Sequence, residues 1–226
     1  MVILGLTGSI GMGKSTTARM LRRRGLLVHD ADRTVHRLLG PGGAAVAAVA
    51  GALGADLLRD FNCNRGNCDR GSIDRGRLGA KVFADPAALR LLETILHPLV
   101  REAERQFLAS AARRRARVVV LDVPLLFETG GDARVDATLV VTAPYFIQRA
   151  RVLARPGMTP DRLAYILKHQ MPDRIKRRRA DFVVMTGLGH AHVLRRLAGI
   201  VSVMGQQRSR NWPPQFRYQP GTTHHA

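Results

Sequence analysis

Apolar and polar positions fall into two textures along the chain: short unbroken apolar runs, and longer stretches spaced like one face of a helix. Val2–Thr7 is too short for a helix and reads as a strand buried on both faces. Lys14–Arg24 has helical spacing and stops at Gly25. Leu26–His29 repeats the strand signal and ends on Asp30, and Val118–Leu121, Asp136–Val141 and Phe182–Met185 supply further strands. From Thr34 to about Ala112 the pattern is helical, interrupted by Gly40–Gly43 and the polar stretch Asn62–Ser72. Asp85-Pro86 and Thr159-Pro160 each pair a capping side chain with a first-turn proline, where a missing N–H costs nothing. His97-Pro98 reads in the same way, as a histidine beside a helix-starting proline. Pro144–Arg179 is helical and dense in arginine, whereas Gln206–Ala226 has no periodicity and reads as a disordered tail.

Strands alternating with helices predict an α/β fold, a mainly parallel sheet covered on both faces. The expected layout is one domain over residues 1–205, with helical insertions after the second and fourth strands. Ligands of open α/β sheets bind beyond the carboxyl ends of the strands. Chemistry is therefore sought in the turns that follow each strand.

The first such turn, Gly8-Ser9-Ile10-Gly11-Met12-Gly13-Lys14-Ser15, matches G-x-x-x-x-G-K-[ST] in full. Its glycines let the backbone turn tightly and aim several N–H groups at phosphates, and the helix behind adds its positive end. Lys14 reaches the β- and γ-phosphates of ATP, and the Ser15 hydroxyl is a ligand for Mg²⁺. The second turn carries Asp30-Ala31-Asp32. One carboxylate there suits a general base for an acceptor hydroxyl, and either equally suits a helix cap. Asp122, closing the third strand, is a further candidate that would act on Mg²⁺ through water.

Composition changes this picture little. The formal charge of +19 invites a nucleic-acid reading, but lysine occurs only at Lys14, Lys81, Lys168 and Lys176. The remaining cations are arginines scattered over the whole chain, and aromatic residues make up only 5%. Nothing interleaves bases with aromatics as single-strand binding surfaces do, so anionic nucleotides are the expected partners, not nucleic acid. Arginine's planar fork suits phosphate. Cys63 and Cys68 form one pair, too few for a structural zinc site. No apolar run reaches the roughly 18–20 residues of a membrane span, and the amino terminus lacks signal-peptide features. A cytoplasmic location is expected. The chain has no N-K-x-D segment, which disfavours a GTPase.

Five segments in order, Ile3–Thr16, Asp30-Ala31-Asp32, His97-Pro98-Leu99-Val100, Val123–Glu128 and Arg178–Phe182, resemble the dephospho-coenzyme A kinase family over about residues 2–203. The resemblance implies a P-loop kinase fold with a five-stranded parallel sheet. It also implies a helical acceptor-binding region at about 34–112 and a lid at about 144–179. The implied reaction moves a phosphoryl group from ATP to the ribose 3′-hydroxyl of dephospho-coenzyme A. Carried onto this chain, Gly8 and Gly11, Met12, Gly13, Lys14, Ser15 and Thr16 hold the ATP phosphates. Asp32 is the base, with Asp30 in support or as cap. Arg151 and Arg155 match lid arginines that neutralise the transferring group, while Arg149 fits a solvated face. Ser9, Met12 and Met185 depart from the family pattern. A nucleoside monophosphate kinase and a nucleic-acid-dependent ATPase are the rival readings.

Overall fold

The computed structural model describes residues 1–59 and 71–213. The cysteine pair and the tail beyond Pro213 lie outside the described residues. Strand β1 (Val2–Thr7) leads through the glycine loop into helix α1 (Lys14–Arg23) and strand β2 (Leu27–Asp30). Helices α2 (Ala31–Leu38), α3 (Val46–Leu53), α4 (Arg75–Ala84) and α5 (Pro86–Arg113) follow. Strands β3 (Val118–Asp122) and β4 (Ala137–Thr142) come next, then helices α6 (Tyr145–Leu153), α7 (Pro160–His169) and α8 (Asp173–Arg179). Strand β5 (Phe182–Met185) and helix α9 (His190–Gln206) complete the order.

The five strands form one parallel sheet in the order β2-β3-β1-β4-β5. In register, Leu4 faces Ala137 and Leu6 faces Leu139 across β1 and β4, and Leu139 faces Phe182 across β4 and β5. All residues of β1 and β4 are buried, which explains why both read as continuous apolar runs rather than alternating ones. Each strand lies within one or two residues of its predicted span.

The chain forms two compact units. One comprises Met1–Val28, Arg115–Leu121 and the chain from Leu125 onward; the other comprises His29–Arg114 and Asp122–Pro124. In the first, Leu4, Leu6, Leu139, Val141 and Val184 of the strands pack with Leu21 of α1 and with Val193, Leu197, Ile200 and Met204 of α9. The 3–4 spacing of the α9 residues puts them on one face. Burying each such side chain stabilises by about 1.5–3 kcal/mol before entropy is counted. In the second unit, Leu39, Val49, Leu53, Leu57, Leu78, Leu92 and Leu96 form a separate core.

Two sequence expectations need correction. Pro98 does not start a helix; it sits inside α5, whose 28 residues begin at Pro86. The buried stripe Ala88, Leu92, Leu96, Glu104, Leu108 and Ala111 continues past Pro98, so packing outweighs the lost backbone bond. The expected tail is also not free from Gln206 onward. The Asp136 carboxylate accepts hydrogen bonds from Ser209 Oγ at 2.8 Å, the Arg210 N–H at 2.6 Å and the Asn211 N–H at 3.0 Å. It also accepts from the Ile3 N–H at 2.7 Å, which ties this segment to the start of β1.

His29, at the end of β2, is buried with its ring 5.2 Å from that of Phe107. Its Nε2 has no hydrogen-bond partner. Burial pushes its pKa below 6.5, the Arg37 charge lowers it further, and Asp30 opposes the shift. The folded state therefore holds a neutral imidazole that the unfolded chain protonates more readily.

Two predictions follow from these contacts. Asp136→Ala strands several donors and is expected to cost about 1–3 kcal/mol in a urea titration, whereas Asp136→Asn, keeping one acceptor oxygen, costs less. The His29 contribution is fully present above pH 6.5 and is lost as pH falls from 6.5 through the lower folded value. Melting curves from pH 8 to 5 should show a decline in that window for the native chain and a shallower one for His29→Phe.

Candidate active site

The loop between β1 and α1 owes its shape to glycine. Gly11 and Gly13 sit at φ +76° and +89°, in the left-handed region that side chains resist. A Cβ on Gly11 would lie 2.5 Å from Val152 Cγ2, and one on Gly8 would lie 2.6 Å from Val141 Cγ2 and 2.8 Å from the Val141 carbonyl oxygen. The loop is thus pressed against β4 and α6 with no room for side chains at these points. Gly13 is the N-cap of α1 and supplies no capping side chain. The first-turn amides of α1 therefore have no side-chain cap, the arrangement in which a helix start can take an anion. Lys14 and Thr16 are half-buried at that turn and Ser15 is exposed.

Four residues distant in sequence hold the loop. Gln148, buried on α6, donates from Nε2 to the Ile10 carbonyl at 2.8 Å. Gln170, just past α7, accepts from the Ile10 N–H at 3.1 Å. Thr186, just past β5, donates to the Met12 carbonyl at 2.8 Å. Arg151 donates to Thr186 Oγ1 at 2.9 Å and to the Thr186 carbonyl at 3.0 Å, and its Nη1 lies 3.5 Å from the Gly11 carbonyl oxygen. Met12 is buried, and its sulfur accepts from the Ala143 N–H at 3.1 Å, so the unusual residue at this free loop position is used for packing.

Arg151 thus stands against the loop, with its guanidinium engaged by Thr186. Arg155 lies beyond the end of α6 and is exposed, as is Arg149. Met185 ends β5, and the polar contact to the loop comes from its neighbour Thr186 instead.

A second polar group anchors α8. Lys176 is fully buried, with Nζ 2.8 Å from Glu128 Oε1. The same oxygen accepts from the Met171 N–H at 3.0 Å. A buried ammonium without a carboxylate would cost several kcal/mol. Asp173 Oδ2 accepts from Thr142 Oγ1 at 2.8 Å, and Arg179 reaches Asp132 at 2.7 Å while lying over the Phe127 ring. The end of the arginine-rich stretch is therefore fixed to β4 and to the loop after β3.

In the second unit the capping role falls to Asp30. Asp30 caps α2, its Oδ1 accepting from the Arg33 N–H at 2.9 Å. Asp32 lies in the first turn of α2 with its side chain exposed. Asp122 is buried at the end of β3, and His97 is exposed on α5.

No group of three or more His, Cys, Asp or Glu suited to a metal occurs among the described residues. Mg²⁺ needs no such cage, since it is held by one or two protein oxygens together with phosphate oxygens and water. The exposed Ser15 hydroxyl and the Asp122 carboxylate have the hard oxygen chemistry it takes. No helix among the described residues is long and apolar enough to cross a membrane.

A glycine loop that leads into a helix without a side-chain cap, with a lysine beside it, has the chemistry of an anion site. The family model described as dephospho-CoA kinase matches residues 2–189. A dephospho-CoA kinase of Paramagnetospirillum magneticum is 59% identical over 208 residues, covering 92% of this chain and 93% of that protein. A crystal structure of a Thermus thermophilus protein superposes with a TM-score of 0.71 at 33% identity, covering 89% of this chain and 96% of that one. A dephospho-CoA kinase from Campylobacter jejuni shares the fold, with a TM-score of 0.63 at 21% identity over 90% of this chain and 96% of that one. With most of its length matched by the family model, and more than half of its aligned residues shared with that relative, the chain belongs to the dephospho-CoA kinase family.

Proposed function

We propose that the chain transfers the γ-phosphoryl group of ATP to the ribose 3′-hydroxyl of dephospho-coenzyme A, giving coenzyme A and ADP. The observation that carries this reading is the uncapped first turn of α1 behind two left-handed glycines, in a chain of this family. Gly8, Gly11, Met12, Gly13, Lys14, Ser15 and Thr16 form the phosphate cradle. Lys14 carries the positive charge that the β- and γ-oxygens need.

Asp32 is the base. Asp30 caps α2 through the Arg33 amide, which leaves capping to Asp30, and the exposed position of Asp32 in the first turn suits a carboxylate that meets a hydroxyl. The ribose oxygen attacks the γ-phosphorus in line, the bond to the β-phosphate oxygen breaks, and the hydroxyl proton passes to Asp32. Mg²⁺, held by Ser15 and through water by Asp122, would offset charge on the phosphates. Arg151 and Arg155 supply positive charge as the transferring group loosens. Residues of about 144–179 form the lid that excludes water, and those of about 34–112 bind the acceptor.

Positioning and charge carry most of this catalysis. Lys14→Ala and Asp32→Asn are each expected to lower kcat by about 10²-fold or more in a coupled ADP-release assay. Near-normal turnover of Asp32→Asn would remove Asp32 from the base role. Gly11→Ala, strained in φ and pressed on Val152, should abolish ATP binding in calorimetry. An acceptor panel separates the rivals: dephospho-coenzyme A should drive fast ADP release, and nucleoside monophosphates or nucleic acid should not.

A further inference from the structure

Ile10 is the crest of the phosphate loop, and both of its backbone polar groups are taken by glutamine side chains. The carbonyl accepts from Gln148 at 2.8 Å and the N–H donates to Gln170 at 3.1 Å. Both glutamines come from the arginine-rich helical stretch, one on α6 and one just past α7. A buried carboxamide is costly unless bonded, so Gln148, with 3% of its surface exposed, is held in one orientation by this contact. Gln170 is placed from the other side. The next residue, Met171, gives its N–H to Glu128, whose carboxylate is fixed by the buried Lys176.

The choice of side chain is informative. A carboxamide offers a directional donor or acceptor without charge. A glutamate at 170 would set a negative charge beside an anion site, and a lysine or arginine at 148 would place a buried positive charge there in competition with Lys14. The loop gains from such support, because glycine at 11 and 13 places little restraint of its own on the backbone.

We propose that Gln148 and Gln170 are positioning residues for ATP. Together they clamp the Ile10 peptide groups, and through them align the amides of Gly11 to Thr16 with the phosphates; neither touches the nucleotide. This rests on the reading that the loop takes the ATP phosphates.

The test uses Gln170→Met and Gln148→Met, alone and combined, since methionine keeps length and removes the polar contact. Each single variant should lower kcat/KM for ATP by about tenfold, with the KM for dephospho-coenzyme A changed less than twofold and the melting temperature near that of the native chain. Because both act on one residue, the double variant should lose about as much as the worse single variant, not about a hundredfold. The Ile10 amide should also exchange with solvent faster in Gln170→Met. Unchanged ATP kinetics in folded Gln170→Met, a fully multiplicative double variant, or an equal rise in both KM values would each overturn the clamp. Should Gln148→Met fail to fold, Gln170→Met decides through kinetics and amide exchange together. ATP binding undiminished in Lys14→Ala would instead overturn the phosphate-loop reading. Fast Ile10 exchange with normal ATP kinetics would overturn only the positioning role.

Discussion

One backbone constraint underlies the site: a loop that must turn through left-handed conformations while lying against β4 and α6. Only residues without a Cβ meet both demands at Gly11, and the same close approach excludes one at Gly8. The turn leaves the first amides of α1 without a side-chain cap. A structure designed for stability alone would place serine or aspartate there. Leaving the amides uncapped is a local cost that a bound anion would offset.

A freely turning loop does not by itself hold amides in fixed directions. Rigidity comes from residues far along the chain, with Thr186 on the Met12 carbonyl, Arg151 on Thr186, and the two glutamines on Ile10. The Lys176–Glu128 pair then fixes the segment that carries Gln170. Arg151 consequently serves two ends, bracing the loop and lending charge near it. The positive balance of the chain lies mostly in arginines outside this arrangement, which agrees with their scatter along the sequence.

Much of this was legible in the sequence for a physical reason. Strands buried on both faces write themselves as continuous apolar runs, so β1 was read to the residue, and the half-buried β5 is equally apolar in sequence and was read as closely. Caps and the phosphate loop are local devices whose parts lie within a few positions, and the Asp85 and Thr159 caps form as read, accepting from the Ala87 and Arg162 amides. Proline was misleading at Pro98, because its local signal marks a helix start and the buried stripe of α5 overrode it. Gln148, Gln170, Thr186 and Lys176 were missed altogether. Each is a single polar residue whose partner lies dozens of residues or more away, so neither periodicity nor spacing carries it. Lys176 was further concealed by the arginines after it, a run that reads as a solvated face.

In the proposed reaction a phosphoryl group reaches one particular oxygen of dephospho-coenzyme A, the ribose 3′ oxygen. Phosphorus–proton coupling in the NMR spectrum of the product, formed from ATP and dephospho-coenzyme A, tests this directly. A new phosphorus resonance coupled to the ribose H3′ is expected, appearing in step with ADP. A resonance coupled to H2′, or ADP formed with no phosphorylated acceptor, would contradict it.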